Sequence, residues 1–145
     1  MLIGQYTSKL TDKERVSIPK KIREELGDDL ILAKWYENCL VLVSREKWKE
    51  LLNRVFGETK LVISPVRDID RFLMSSAYEL KLDSQGRFII PEILKKHAEI
   101  ETEIIFIGLG DRVEVWSEES WRKIEVSAQE KASKAIEIIA KNIKN

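Results

Sequence analysis

Leu10-Thr-Asp-Lys-Glu-Arg-Val-Ser-Ile-Pro19 is answered 72 positions later by Leu82-Asp-Ser-Gln-Gly-Arg-Phe-Ile-Ile-Pro91, so that Leu10, Arg15, Ile18 and Pro19 recur as Leu82, Arg87, Ile90 and Pro91. Downstream, Cys39-Leu-Val-Leu-Val-Ser-Arg-Glu-Lys-Trp48 is matched by Arg112-Val-Glu-Val-Trp-Ser-Glu-Glu-Ser-Trp121, now 73 positions apart, which places one inserted residue between the matched blocks. The chain therefore carries two copies of one half-fold. The spacing exceeds the roughly 20–50 residues of solenoid repeats, and two units are fewer than such arrays need, so the copies are expected to complete each other.

Working outward from the repeat, Gln5–Leu10 and Arg15–Ile18 read as short strands around a tight polar turn. Pro19 then opens a helix to Leu26, since a first-turn residue needs no amide hydrogen and the ring presets φ. Leu30–Lys34 and Cys39–Val43 form a second strand pair around Trp35-Tyr-Glu-Asn38. Ser44 caps a helix with apolar positions at Trp48, Leu51, Leu52, Val55 and Phe56. The second copy repeats the order with strands over Glu79–Leu82 and Arg87–Ile90, a helix from Pro91 to about His97, strands over Glu103–Gly108 and Val113–Trp116, and a Ser117-capped helix carrying Trp121. Each half is thus β-β-α-β-β-α. The expected fold is α+β, mainly β: an intramolecular β-barrel of the double-psi or swapped-hairpin kind with peripheral helices, because four short strands per half leave edges that only the other copy can cover.

The halves are expected at 5–47 and 77–120, joined by a helical connector over 48–76 and followed by a helical tail over 121–145. In the connector, Ser64-Pro65 is a break and Arg67–Ser76 a helix presenting Ile69, Phe72 and Leu73, too apolar for a free linker. After Ser127 the chain reads as a helix with Ala135, Ile136, Ile139 and Ile143 on one stripe, which either docks on the body or meets another chain.

Composition narrows the function classes. No apolar run approaches the roughly 18 residues of a membrane span, and the first residues lack a basic stretch before their short apolar patch, so a cytoplasmic protein is expected. Cys39 stands alone inside an apolar run and reads as a small buried hydrophobe. With His97 also single, neither a metal cluster nor a Ser/His or Cys/His catalytic arrangement can be repeated in both halves, so no metal, cofactor, small-molecule substrate or catalytic residue is expected.

The 25 basic and 25 acidic residues cancel, which argues against indiscriminate nucleic-acid binding, but their distribution is uneven. Lys9, Lys13, Arg15, Lys20, Lys21 and Arg23 outnumber Asp12 and Glu14 by four, and Lys81, Arg87, Lys95 and Lys96 outnumber Asp83 and Glu92 by two. Both basic stretches sit on the repeated motif. An arginine at the base of a hairpin projects a planar fork of donors suited to phosphate or to a guanine edge in the major groove. The alternative is an Arg–Asp pair that only staples the turn. Arg15 and Arg87 are the principal candidate DNA contacts, with Lys13, Lys20, Lys21, Lys95 and Lys96 as phosphate contacts, supported by Thr11, Asp12, Asp83, Gly86, Pro19 and Pro91.

The repeated L-x-x-x-x-R-x-x-I-P, the Glu37-Asn-Cys-Leu40 turn and Ile107-Gly-Leu-Gly-Asp-Arg-Val-Glu-Val-Trp116 with Trp121 resemble the MraZ family, bacterial transcriptional regulators with two tandem SpoVT-AbrB-type modules. The resemblance covers roughly residues 1–122. It implies a D-x-x-x-R signature at each hairpin, associated with DNA contact, intact here as Asp83-Ser-Gln-Gly-Arg87. The first copy departs: Thr11 replaces the acid, Asp12 is displaced by one place, Glu14 stands where the turn glycine would be, and only Arg15 holds its position. Thr11 with Val16-Ser-Ile-Pro19 is closer to AbrB-type antitoxins. The resemblance further implies ring-shaped homo-oligomers that bind short direct repeats in double-stranded DNA upstream of a division and cell-wall gene cluster, and hence a nucleoid-associated protein. Tyr6, Tyr36, Phe72 and the apolar connector are candidate subunit contacts, and each could as easily be core.

Two rival functions are weighed against this. Paired-carboxylate catalysis, as in proteases built on related barrels, fails because Asp12 aligns with Ser84 and Asp83 with Thr11. Gly108-Leu-Gly110 lacks the third glycine and the strand-to-helix setting of a dinucleotide site. A non-enzyme is expected. The other rival is an antitoxin-like or assembly module whose basic edge meets an acidic protein.

Overall fold

A computed structural model of the chain describes residues 1–57 and 64–144. The first half runs β1 (Leu2–Lys9), β2 (Arg15–Ser17), α1 (Lys20–Leu26), β3 (Leu30–Lys34), β4 (Leu40–Ser44) and α2 (Arg45–Phe56). The helix α3 (Ser64–Ser75) follows, and the second half runs β5 (Tyr78–Glu79), β6 (Arg87–Ile89), α4 (Glu92–His97), β7 (Glu103–Gly110), β8 (Val113–Ser117) and α5 (Glu118–Lys144). The order expected for each half is present.

Six strands form one antiparallel sheet in the order β1-β7-β8-β4-β3-β5, and β2 pairs with β6 in a separate two-stranded ribbon. The order is a palindrome under exchange of the halves. Register makes the relation explicit. In the ribbon Val16 lies opposite Phe88, its own counterpart 72 residues later, and in the sheet Val41 lies opposite Glu114, its counterpart 73 residues later. A pseudo-two-fold axis therefore passes through both pairs. The outer strands cross over: β1 pairs with β7 over all eight of its residues, and β5 with β3.

No closed ring of strands exists among the described residues, so the barrel expected from the sequence is corrected to an open sheet with a ribbon above it. The reason is strand length. The strand expected over Glu79–Leu82 pairs only at Tyr78–Glu79, and after the bond from Leu80 N–H to the Leu30 carbonyl the chain leaves the ladder. Two- and three-residue strands cannot bridge sheet and ribbon. Side chains do so instead: Val16, Ile18, Phe88 and Ile90 from the ribbon segments meet Leu30, Leu32, Leu42, Ile104, Phe106 and Val115 from the sheet, with Ile22 of α1 and Leu94 of α4.

The opposite face of the sheet is also covered. Ile31, Ala33, Val41, Val43, Ile105, Ile107 and Trp116 pack against Trp48 and Leu51 of α2 and Leu73 of α3, with Ile69, Phe72 and Trp121 at the margin. Burial on both faces explains why β3, β4 and β7 are continuous apolar runs rather than alternating ones. Residues 58–63, at the start of the connector, and the side chains of Val55 and Phe56 lie outside the described residues.

Boundaries shift elsewhere too: the strand expected over Gln5–Leu10 spans Leu2–Lys9, and that over Cys39–Val43 spans Leu40–Ser44. Pro19 and Pro91 are the last extended residues before their helices, at φ −53°, ψ 138° and φ −54°, ψ 139°, rather than the first helical ones. The helix expected over Arg67–Ser76 spans Ser64–Ser75. The tail is not a separate helix after Ser127 but the continuation of α5, whose start is capped by Ser117 Oγ accepting from the Ser120 amide at 3.1 Å.

Candidate nucleic-acid interface

The ribbon has two chemically opposite faces because side chains alternate along a strand. Val16 and Phe88 point inward and are 0% and 3% exposed. Arg15, Ser17, Arg87 and Ile89 occupy the outer face, with Arg15 opposite Ile89 and Ser17 opposite Arg87. The two arginines thus stand on one diagonal of a two-by-two array, roughly 7–8 Å apart at the backbone. They line one open concavity together with Asp83, Tyr78 and Ile89.

Each arginine sits at the exit of a hairpin turn, and the two turns share one backbone geometry. The Thr11 amide donates to the Arg15 carbonyl at 2.9 Å, as the Asp83 amide does to the Arg87 carbonyl at 2.9 Å. The Glu14 amide reaches the Thr11 carbonyl at 2.9 Å and the Gly86 amide the Asp83 carbonyl at 3.0 Å. The altered first signature therefore keeps the turn. It does so because Thr11 Oγ1 accepts from the Arg15 amide at 3.1 Å, just as Asp83 Oδ1 accepts from the Arg87 amide at 3.0 Å.

The side chains differ. Asp83 Oδ2 accepts from Arg87 Nε at 2.8 Å, and Asp83 Oδ1 also takes the Gln85 amide at 2.8 Å. The backbone donation from Arg87 is the largest influence on the Asp83 carboxyl, and with the Gln85 amide and the adjacent guanidinium it outweighs desolvation and holds the group below its ordinary range. Arg87 is aimed by its acid. Thr11 cannot do this, and among the described residues no carboxylate bridges the Arg15 guanidinium. Asp12 is exposed at the turn tip.

At the αL position of the turn, Glu14 at φ 59° answers Gly86 at φ 73°. What lies over each is again related by the repeat. Arg23 of α1 packs over Gly86, where a Cβ would come within 2.8 Å of its Cζ, and Lys95 of α4, 72 residues after Arg23, pairs with Glu14 at 3.0 Å. One half leaves room for a cation, and the other supplies an anion to meet it. Sequence reasoning missed Arg23 at this place, although the 72-residue offset to Lys95 was available to find it. It also missed Ser17 and Ile89, which period-two alternation from Arg15 and Arg87 would have placed on the same face.

Of the remaining candidates, Lys13, Lys20, Lys21 and Lys96 are exposed, whereas the Lys95 side chain is only 17% exposed and engaged by Glu14. Pro19 and Pro91 stand just before α1 and α4, seven and six residues long, at the ribbon's flanks. Tyr6 and Phe72 are half-buried against the two cores, while Tyr36 is 42% exposed. Cys39 is buried, its thiol donates to the Tyr36 carbonyl at 3.1 Å, and burial pushes its pKa far up. No group of three or more His, Cys, Asp or Glu suited to a metal ion is found among the described residues, and none of their helices is long and apolar enough to cross a membrane.

The sequence has relatives. The family model for the MraZ protein, described as antitoxin-like, matches residues 1–70 and 73–141. The chain belongs to the MraZ family. Proteins named transcriptional regulator MraZ are similar over most of their length: that of Thermoanaerobacter sp. (strain X514) is 44% identical over 128 residues, 85% of each chain. That of Alkaliphilus oremlandii is 46% identical over 123 residues, again 85% of each. The relative from Syntrophomonas wolfei is 37% identical over 143 residues, 99% of this chain and 96% of its own, so the similarity there includes α5.

Proposed function

We propose that this protein is a sequence-specific transcriptional regulator that binds double-stranded DNA through the outer face of the β2–β6 ribbon. The observation that carries this reading is the diagonal pair Arg15 and Arg87, half-buried on the outer face of a two-stranded element whose inner face is anchored in the core. A two-stranded ribbon has the dimensions to enter the major groove, where a guanidinium can take a guanine edge or a flanking phosphate. The names of the relatives support a role in transcription, and the exposed Lys13, Lys20, Lys21 and Lys96 flank the ribbon where phosphates would pass.

On this reading the segments 5–47 and 77–120 act as paired SpoVT-AbrB-type modules. One subunit offers few contacts and no net charge to hold DNA, so useful affinity comes from several subunits acting on repeated sites. A ring oligomer on short direct repeats upstream of a division and cell-wall gene cluster, working at the nucleoid in the cytoplasm, fits that requirement and the family resemblance.

The test is binding of the full chain to DNA from upstream of its own gene, alongside Arg15→Ala and Arg87→Ala proteins shown to keep their fold. Loss of about 1–3 kcal/mol per contact with relaxed preference at one position indicates base reading; uniform loss with a shallower salt dependence indicates phosphate contact. Arg15→Ala is expected to be the more damaging, because its surroundings are more basic and no acid holds its guanidinium. Wild-type affinity in both variants, or affinity insensitive to salt between about 50 and 200 mM, would turn the reading toward a protein-interaction module.

A further inference from the structure

The pseudo-two-fold axis through Val16 and Phe88 exchanges Arg15 with Arg87 but also exchanges Ser17 with Ile89, and those two are chemically unlike. The ribbon's outer face is therefore symmetric in its charged corners and asymmetric in the other two. Ile89 is 58% exposed, belongs to neither core, and lies opposite Arg15 in the register. Nothing in the fold needs an isoleucine there: the inward positions of the ribbon already supply its anchoring, and the first copy manages with serine at the same place.

We propose that Ile89 reads the 5-methyl group of a thymine in the major groove, and that the Ser17 corner does not, so that each subunit reads DNA in one direction. The inference rests on the ribbon being the DNA-facing element. Its chemistry follows from what the groove displays. The thymine methyl is the only apolar group on a base edge, it is present only in the major groove, and apolar side chains are its natural contacts. The hydroxyl of Ser17 can donate to or accept from any base and prefers none strongly. Arg15 and Arg87 present the same guanidinium chemistry to a site and to its reverse complement; the Ile89 corner adds a contact that only one orientation can make.

Deoxyuridine tests this directly, because replacing thymine by uracil removes the methyl and leaves pairing and the other groove groups in place. With the full-length protein and its upstream DNA, thymines within the protected region are replaced one at a time. The expected result is a strand-specific position at which uracil weakens binding about fourfold, the worth of one buried methyl group. Ile89→Ser, at an exposed position that leaves both cores untouched, should bind the thymine and uracil DNAs equally, and Ile89→Val should keep part of the difference. Ser17→Ile should create a second sensitive thymine on the opposite strand, related to the first by a local dyad. If uracil has no effect anywhere while Arg15→Ala and Arg87→Ala abolish binding, the methyl reading is wrong and the ribbon assignment stands. A uracil effect that survives in Ile89→Ser also overturns it. If the wild-type protein does not bind the DNA, or the arginine variants bind normally, the ribbon assignment falls and takes the inference with it.

Discussion

At residue scale, the two hairpin turns solve one backbone problem with different side chains, and the differences can be titrated. Asp83 accepts two backbone amides and the Arg87 guanidinium, which keeps its folded pKa below the usual value. A depressed carboxylate stabilises the fold above its unfolded pKa and loses that contribution as pH falls below about 4 through the folded value. Thr11 has no proton to gain in that range. The amide resonances of Gln85 and Arg87 should therefore move together as pH falls below 3.8, and Asp83→Asn should remove that step; a step that survives in the variant would mean general acid unfolding rather than loss of the Asp83 brace.

Among the described residues the three non-glycine residues at positive φ are all glutamates, Glu14, Glu37 and Glu99, and each has a positive-φ glycine as its repeat counterpart: Gly86, Gly110 and Gly27. The left-handed conformation costs a residue with a Cβ about 1–2 kcal/mol. Glu37→Gly, at an exposed turn, should stabilise the protein by about 1 kcal/mol. Glu14→Gly should gain less, since it also gives up the pair with Lys95, a surface contact worth at most about 1 kcal/mol. It should nonetheless strengthen DNA binding at low salt, because it removes a negative charge beside Arg15 and releases the Lys95 ammonium. Urea unfolding and binding titrations check the two effects separately. Weaker binding by folded Glu14→Gly would mean that Glu14 positions Arg15.

At the scale of elements, the strands were legible where burial is symmetric and blurred where it is not. The apolar run Leu30–Lys34 marks its strand to the residue because it is buried on both faces of the sheet. Leu80 and Leu82 continue the alternation of a strand but belong to a segment that bridges sheet and ribbon, so their partial burial against the first core comes without a ladder. Local pattern cannot separate those two ways of being half-buried. Nor could it assign the pairing of β1 with β7 and β5 with β3, which is a property of the folded halves together. That crossing has a consequence for the isolated first half. Residues 1–57 would leave β1 without β7, β2 without β6 and the Leu30–Leu42 side of the core open. Expressed alone, they should show no cooperative melt as a monomer, and either aggregate or dimerise to restore the missing partner strands; a folded monomer by sedimentation and circular dichroism would contradict the interdependence of the halves.

At the scale of the whole molecule, the unsolved surface is the far end of α5. The helix is tied down over its first turns by Trp121 against Trp116, by Ile124 on the second core and by Glu125, which accepts from Gln5 of β1. From Ala128 to Ile143 every residue is exposed. The stripe that docks at Trp121 and Ile124 nevertheless continues through Ala128, Ala132, Ala135, Ile139 and Ile143 at helical spacing. The back of the helix carries Glu130 and Lys134, then Glu137 and Lys141, at i and i+4 in the favourable order, which supports a helix but not at the cost of leaving Ile136, Ile139 and Ile143 67%, 59% and 79% exposed. Sixteen residues extend about 24 Å beyond the body, a length whose apolar face would fit a neighbouring subunit of the proposed oligomer. Truncation after Ser127 removes no contact to either core. The melting of the body should therefore change by no more than about 0.5 kcal/mol, the range of surface substitutions away from packed groups. The assembly should shrink, and with it the gain in affinity when DNA offers several binding sites instead of one. Sedimentation of the full and truncated chains at equal concentration separates the outcomes. An unfolded truncate would mean that the helix folds back on its own body, and an unchanged assembly would move the subunit contact elsewhere on the surface.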